Sequence, residues 1–210
     1  MISDNKKTII IGYSGHSYVC IEALLSQGLN IVGYCDSTEK NKNLFSLKYL
    51  GNERKLPTNI FEESIFFIGI GENTVRKNVF NFLKDKKAEV INAINIKSNI
   101  SSTVKMGIGN LIVAGATINS FTIIGNGVIC NTQSSIDHEC SLGDFSHIGP
   151  GTVLCGNVSV GECTFVGANA VVKQGITIGN NCLIGAGTVI IKDVPDNTTI
   201  VGNPGKIINK

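Results

Sequence analysis

Arginine is almost missing from this chain of 210 residues: Arg54 and Arg76 are the only two, and the formal net charge is +2. Without a basic face, nucleic acid is not an expected partner. Long apolar runs are missing too. The first of them, Ile9 to Ile11, follows a polar stretch from Met1 to Lys7 and is too short for the apolar region of a signal peptide. Nothing approaches the roughly 20 apolar residues of a membrane span, so no membrane partner is expected either. No C-x-x-C pair occurs among the seven cysteines, an odd number. That points to a soluble, cytoplasmic protein held reduced rather than to a disulfide framework.

What the chain has instead is a period of six. Counting from Ile94 in steps of six gives Ile100, Met106, Ile112, Ile118, Ile124, Cys130, Ile136, Leu142, Ile148 and so on to Ile190. Fifteen of the seventeen anchors are Ile, Leu or Val. Glycine often follows the anchor, as at 107, 125, 143, 149, 161, 167, 179 and 185. A second inward candidate, small or β-branched, comes four residues after it, as at Ala116, Thr122, Val128, Ser134 and Thr152. In a helix such anchors would fall about 240° apart and share no face. An even step keeps side chains on one face of a strand, and no hairpin spacing interrupts it. The pattern predicts a parallel β-helix, with short strands winding round a triangular prism. Three hexapeptides make a coil of eighteen residues, and the run supplies about five coils. Cys130, Cys140 and Cys182 fall on inward phases and read as small hydrophobes.

The first ninety or so residues alternate strands with helices, which predicts a small parallel α/β sheet. Strands are expected at Thr8–Ile11, Ile31–Cys35, Ile65–Ile70 and Glu89–Ile94. Helices are expected over Ser17 to Gln27, with Val19, Ala23 and Leu24 buried, and over Thr74 to Lys86, with Val75, Val79, Phe82 and Leu83 facing in. Residues 37–60 read as irregular, with a turn at Pro57. The loop Gly12-Tyr13-Ser14-Gly15-His16-Ser17 sits where a strand meets a helix N-terminus, a usual place for a phosphate. It is not the dinucleotide fingerprint, because Ser14 and Ser17 stand at the second and third glycine positions. A tight turn and a nucleotide diphosphate site both remain open. Asp36 closes the next strand, where a carboxylate can meet a ribose or base or simply cap a turn. Arg76 can reach a phosphate or lie on a solvated helix face.

Histidine is scarce: His16, His138 and His147 are all there are. A β-helix hydratase needs three histidine ligands for its zinc, and two in the repeat cannot supply them, so no metal is expected. His138 lies two residues past an anchor, at a corner of the prism; His147 lies one before an anchor and points outward. Half a coil separates them, so they belong on opposite sides of one prism. They can meet only between neighbouring chains of a threefold assembly. A neutral imidazole in such a cleft is a natural general base, and Glu139 next to His138 can orient or polarise the ring.

The stretch Asn131-Thr-Gln-Ser-Ser-Ile-Asp-His138-Glu139-Cys-Ser-Leu-Gly143, with Ser146-His147 and Cys155-Gly156-Asn157-Val158, resembles the hexapeptide-repeat sugar acyltransferases. These include sialic acid O-acetyltransferases and acetyltransferases of UDP-linked 4-amino-4,6-dideoxy sugars. The resemblance runs from the Gly12 loop and Gly69-Ile-Gly71-Glu-Asn73 to Val201-Gly-Asn-Pro-Gly-Lys206. It implies an α/β N-terminal Rossmann-like domain (1–95) that binds a sugar nucleotide, then a left-handed parallel β-helix (96–210), in a homotrimer with acetyl-CoA along the groove between helices. On the same ground His138 matches the catalytic base and Glu139 its polarising partner. Asn131 and His147 match active-site residues, Gly156 the amide that holds the thioester carbonyl, and Ala168 and Ala186 further acetyl-CoA contacts. Gly12, Ser14, Gly15, His16, Asp36, Gly71 and Asn73 fall in the nucleotide-sugar segment. Departures are slight: Ser17 where glycine is common, and Gly205 where alanine is.

The expected activity is N-acetylation of the 4-amino group of a UDP- or dTDP-linked 4-amino-4,6-dideoxy sugar. O-acetylation of sialic acid or a related nonulosonate is the alternative, and a non-catalytic nucleotide-sugar scaffold is the reading from another class. No covalent acyl-enzyme is required, since Cys140 faces inward.

Overall fold

The computed structural model describes residues 7–208. Five parallel strands form the N-terminal sheet in the order β3-β2-β1-β4-β5. They are β1 (Lys7–Ile11), β2 (Ile31–Cys35), β3 (Lys48–Tyr49), β4 (Ser64–Ile68) and β5 (Glu89–Val90). Helices α1 (Gly15–Ser26), α2 (Thr58–Glu63) and α3 (Asn73–Asp85) connect them. The central strands are buried along nearly their whole length, as β-rich apolar runs covered on both faces must be. The order reverses between β1 and β4, so the loops after these two strands part at a topological switch point, where open α/β sheets hold ligands.

Some expectations for this half need correcting. Residues 37–60 are not irregular throughout: they hold β3, a 3₁₀ turn at Glu53–Lys55 and the start of α2, each too short to show a period. In α3 the buried stripe is Asn73, Arg76, Val79, Phe80 and Leu83, while Val75 is 46% exposed. The stripe is rotated because α3 packs on the β-helix as well as on its own sheet, with Phe80 edge-on to Phe145 at 5.3 Å between ring centres. The expected strand Glu89–Ile94 is split: Glu89–Val90 ends the α/β sheet, and Ala93–Ile94 begins the prism by pairing with Leu111–Ile112. The β-helix therefore starts ahead of residue 96. Between the two pieces Asn92 turns the chain, its side chain bonding the Gly107 carbonyl and the Asn110 N–H.

From there the chain is a left-handed parallel β-helix. Each two-residue strand pairs with the one eighteen residues on, for example Ile118 with Ile136 and Ile148 with Val166. The strands stack into three sheets, and the anchors fill one continuous core. The last coil is shorter, with Ile184 paired to Ile200. Side-chain amides and carboxylates cap the vertices: Asp144 accepts from Asn126 N–H at 2.7 Å and Asn180 from Glu162 N–H at 2.8 Å.

The α/β domain sits on one face of the prism, the sheet holding Leu111, Ile129 and His147. Leu111, Val113 and Ile129 share a core with Tyr13, Ile21 and Leu24. Arg76 pins the other side of this contact. It is 1% exposed and donates to the Gly127 and Phe145 carbonyls of the prism, both at 2.7 Å, to the Ile70 and Gly71 carbonyls, and to Asn73 Oδ1. Burial pulls its pKa down to about 10. All its donors face protein oxygens, so Arg76 is an interdomain clamp rather than a phosphate ligand or a solvated side chain.

Candidate active site

Residues 137–139 turn a vertex between two sheets, the one opposite the face that carries the α/β domain. Glu139 adopts the left-handed conformation with φ 59°, where the next coils place Asn157 and Gly175. That conformation costs an acidic residue on the order of 1 kcal/mol. It throws the side chain back over its neighbour: Glu139 Oε2 lies 3.0 Å from His138 Nδ1. An ionised carboxylate only accepts, so Nδ1 carries a proton, and in the neutral ring Nε2 is then the nitrogen with the lone pair. Both side chains are open to solvent, at 48% and 62% exposure. The His138 N–H donates to Asp137 Oδ1 at 2.8 Å, and Asn119 Nδ2 steadies the same oxygen at 2.9 Å.

One coil on, Gly156 lies against the His138 ring. A Cβ there would stand 2.6 Å from both Cε1 and Nε2, so only glycine lets the imidazole lie flat on the vertex. The Gly156 N–H donates to no acceptor among the described residues, and the same holds for the N–H groups of Ala168 and Ala186. These last two occupy equivalent corners in successive coils, on a different edge of the prism. Three unspent amides thus line the outside of the helix.

A second constellation lies at the switch point. Gly12 has φ +89°, and a Cβ there would stand 2.8 Å from Ile70 Cγ1. The loop closes on itself through Ser17, which is fully buried; the Ser14 N–H donates to Ser17 Oγ at 2.6 Å, and Ser17 Oγ donates to the Ser14 carbonyl at 2.7 Å. Ser17 in place of a glycine is therefore a brace. It leaves exposed Ser14 and Gly15 at the open N-terminus of α1. Asp36 receives the Tyr13 N–H at 3.0 Å, the Ser37 N–H at 2.7 Å and Lys40 Nζ at 3.0 Å. Burial opposes its ionisation, but the bonds from Lys40, Tyr13 and Ser37 outweigh it and hold the carboxyl below the usual range. Gly12, Ser14 and Asp36 line a cavity of about 460 Å³ that extends to Asn52, Glu53, Gly71 and Glu72.

Gly71 and Glu72 also border a larger cavity, about 630 Å³, lined by His16, Asn73, His147, Cys163 and Phe165. The two spaces share Gly71 and Glu72 as a common wall, the first reaching toward β2 and the second toward the prism. Although it points out from its strand, His147 is only 7% exposed, because the α/β domain covers it. Thr132 N–H donates to Asn131 Oδ1 at 2.8 Å, which turns Asn131 Nδ2 toward His147 Nε2 at 3.1 Å. The ring's proton is therefore on Nδ1, and Nδ1 makes no hydrogen bond. The Gly71 carbonyl favours that proton without closing a bond, Arg76 already holding the same oxygen. Burial, with Arg76 and His16 adding, pushes His147 down to about 3; burial and Arg76 push His16 down to about 4. Their ring centres are 6.1 Å apart, and His16 Nε2 is also buried without a partner. Both rings are neutral near pH 7.

The expected residues thus fall into separate groups within one chain. Gly12, Ser14 and Asp36 share the first cavity, with Gly15 exposed beside it at the start of α1; His16, Gly71, Asn73 and His147, backed by Asn131, surround the second. Asn73 brings little freedom to it, since its amide is committed to Arg76 and to the Cys163 carbonyl at 2.9 Å. His138, Glu139 and Gly156 stand across the prism. Glu53, Glu72, Cys163 and Phe165 had not been singled out. Glu72 caps α3, accepting from Thr74 and Val75 N–H groups.

Two family descriptions match the chain: the PglD N-terminal domain over residues 7–83, and the bacterial transferase hexapeptide (six repeats) over 139–174 and 157–192. PerB from Caulobacter crescentus, in complex with CoA and GDP-perosamine, superposes with a TM-score of 0.91 at 34% identity, over 97% of each chain. The chain belongs to the hexapeptide-repeat sugar acyltransferases. The acetyltransferase domain of PglB from Neisseria gonorrhoeae, in complex with acetyl coenzyme A, is 29% identical with a TM-score of 0.90, over 97% of this chain and all of that one (100%). WeeI from Acinetobacter baumannii, 21% identical with a TM-score of 0.80, shares the fold. This acyltransferase has no helix among the described residues that is long and apolar enough to cross a membrane.

Proposed function

We propose that this acyltransferase moves the acetyl group of acetyl-CoA onto the 4-amino group of a nucleoside-diphosphate-linked 4-amino-4,6-dideoxy sugar, with His138 as general base. The single observation that carries the reading is the vertex itself. His138 is held by Glu139 through Nδ1, which leaves Nε2 as the basic nitrogen of the neutral ring, and the ring lies on Gly156, whose amide is unspent. The amine nitrogen attacks the thioester carbonyl carbon while His138 Nε2 takes a proton from it. A C–N bond forms, and the carbonyl oxygen becomes an oxyanion that the Gly156 N–H can hold. Collapse breaks the C–S bond, and the imidazolium returns its proton to the leaving thiolate. No acyl-enzyme is formed. Glu139 steadies the imidazolium in between.

The pyrophosphate would lie at the N-terminus of α1, over Gly12, Ser14 and Gly15, with Asp36 toward the ribose. The sugar would extend past Gly71 to His16 and His147, neutral rings suited to hydroxyl groups rather than to phosphate. The free amides of Ala168 and Ala186 suit the amide-bearing arm of acetyl-CoA along the prism. Within one chain the prism separates this sugar cavity from His138. A homotrimer removes the difficulty, since a neighbour's vertex can face the cavity and closed symmetry repeats the site three times. PerB, held with GDP-perosamine and CoA, and PglB, held with acetyl coenzyme A, support the substrate pair.

The test is free-thiol release from acetyl-CoA with a panel of GDP-, UDP- and dTDP-linked 4-amino-4,6-dideoxy sugars beside sialic acids. Turnover with a nucleotide-linked amino sugar and none with sialic acid is expected. The reverse result would establish the O-acetyl alternative.

A further inference from the structure

Glu53 is a buried acid that neither the fold nor the reaction uses. It is 8% exposed, at the start of the 3₁₀ turn after β3, and it lines the same cavity as Gly12 and Asp36. Its carboxylate accepts no hydrogen bond among the described residues; its one ion-pair partner there is Arg54, with Nε at 3.7 Å from Oε1. That guanidinium is drawn aside, lying over the Phe82 ring at 4.7 Å. The Glu53 side chain is only 10% exposed, and that remaining exposure is toward the cavity. A ligand there that brings N–H donors finds a carboxylate with its acceptor sites unspent.

The order of the sheet says what arrives there. The loops after β1, β2 and β3 stand side by side at the C-terminal edge of the sheet, their strands spaced about 4.8 Å apart. They carry Gly12, Asp36 and Glu53 in turn. On the reading proposed above, on which this inference rests, the pyrophosphate lies at Gly12 and the ribose at Asp36. The base then reaches the β3 loop and Glu53. An ionised carboxylate accepts and never donates. Guanine is the common base whose pairing edge offers two adjacent donors, N1–H and the 2-amino group, for a two-pronged bond of the kind carboxylates form with paired N–H groups. Uracil and thymine present one N–H flanked by two carbonyls, so the same carboxylate would face their oxygens and repel them.

We infer that Glu53 reads the nucleotide's base, and that this acyltransferase takes a guanosine-diphosphate-linked amino sugar in preference to a UDP- or dTDP-linked one. The experiment is calorimetric titration of the full chain with GDP, UDP and dTDP, for wild type, Glu53→Gln and Glu53→Asp. Wild type is expected to bind GDP roughly 10- to 100-fold more tightly than the pyrimidine nucleotides, the discrimination a bidentate base contact provides. Glu53→Gln should lose most of that advantage while its affinity for UDP stays level or rises. UDP or dTDP binding wild type as tightly as GDP would overturn the inference while leaving the proposed activity standing. So would a Glu53→Gln variant that weakens all three alike. No binding of any of the three would overturn the sugar-nucleotide reading with it.

Discussion

Gly156→Ala is the mildest substitution that should disable this enzyme. Its φ is not in the left-handed region, so alanine brings no backbone strain, and the whole effect comes from one methyl group. That methyl would sit 2.6 Å from His138 Cε1 and Nε2, where ordinary carbon contacts need about 3.5–4.0 Å. The ring has to retreat by about 1 Å. It is free to do so, because it is half exposed and tied only through Nδ1 to Glu139. Stability should therefore change by less than about 1 kcal/mol, as for most surface changes. A displacement of about 1 Å in a reacting group costs on the order of 10²-fold in rate. Thiol release should show kcat down by about that factor, with KM for the sugar nucleotide nearly unchanged. Thermal melting should be within a few degrees of wild type. Wild-type kcat with a normal melt would refute the claim that the His138 ring works where it lies, on Gly156.

Other outcomes follow from the same geometry. Arg76→Met should destabilise the fold by about 2–5 kcal/mol in chemical denaturation, since it strands buried carbonyls at Gly127 and Phe145; an unchanged midpoint would contradict the clamp. His16 and His147, ordinarily near 6.5, are depressed to about 4 and about 3, so the unfolded chain takes up protons there before the folded one does. Stability is then full well above pH 6.5 and falls as pH drops, to about 4 for His16 and about 3 for His147. At pH 5 the loss is about 2 kcal/mol for each ring, and His147→Gln should flatten part of that slope. Ser14→Asp sets a carboxylate at the proposed pyrophosphate site and should raise KM for the sugar nucleotide without moving KM for acetyl-CoA. Trimers mixed from His138→Ala and Ser14→Asp chains should regain up to about a quarter of wild-type activity if each site draws on two subunits; no recovery would place the whole site in one chain.

The β-helix was legible because every coil repeats one steric problem, and Ile112, Ile118 and their successors solve it at a fixed spacing. His138, Glu139 and Gly156 were legible for a related reason, being placed by their phase in that repeat. What escaped depends on contacts remote in sequence. Nothing local says that His147 is covered, because its cover arrives from the Gly71 loop and α1. Arg76 reads as a surface residue of α3 until the Gly127 and Phe145 vertices are packed against it. Glu53 reads as one acid in a polar stretch, and its isolation appears only when the loops after β1, β2 and β4 close round it. The short elements β3 and α2 lack the length to show any period at all.

The central claim is that His138 takes the amine's proton, and the pH dependence of kcat/KM in wild type and His138→Ala tests it most directly. Wild type should lose activity on the acid side as the ring and the amine take up protons. His138→Ala should turn over roughly 10²–10⁴-fold more slowly, assemble and melt like wild type because the vertex lies outside the core, and lose the limb that belongs to the ring. Glu139→Ala, which removes only the carboxylate on Nδ1, should fall in between. Near-wild-type turnover in His138→Ala, with the same acid limb, would contradict the account and move the search for the base to His147.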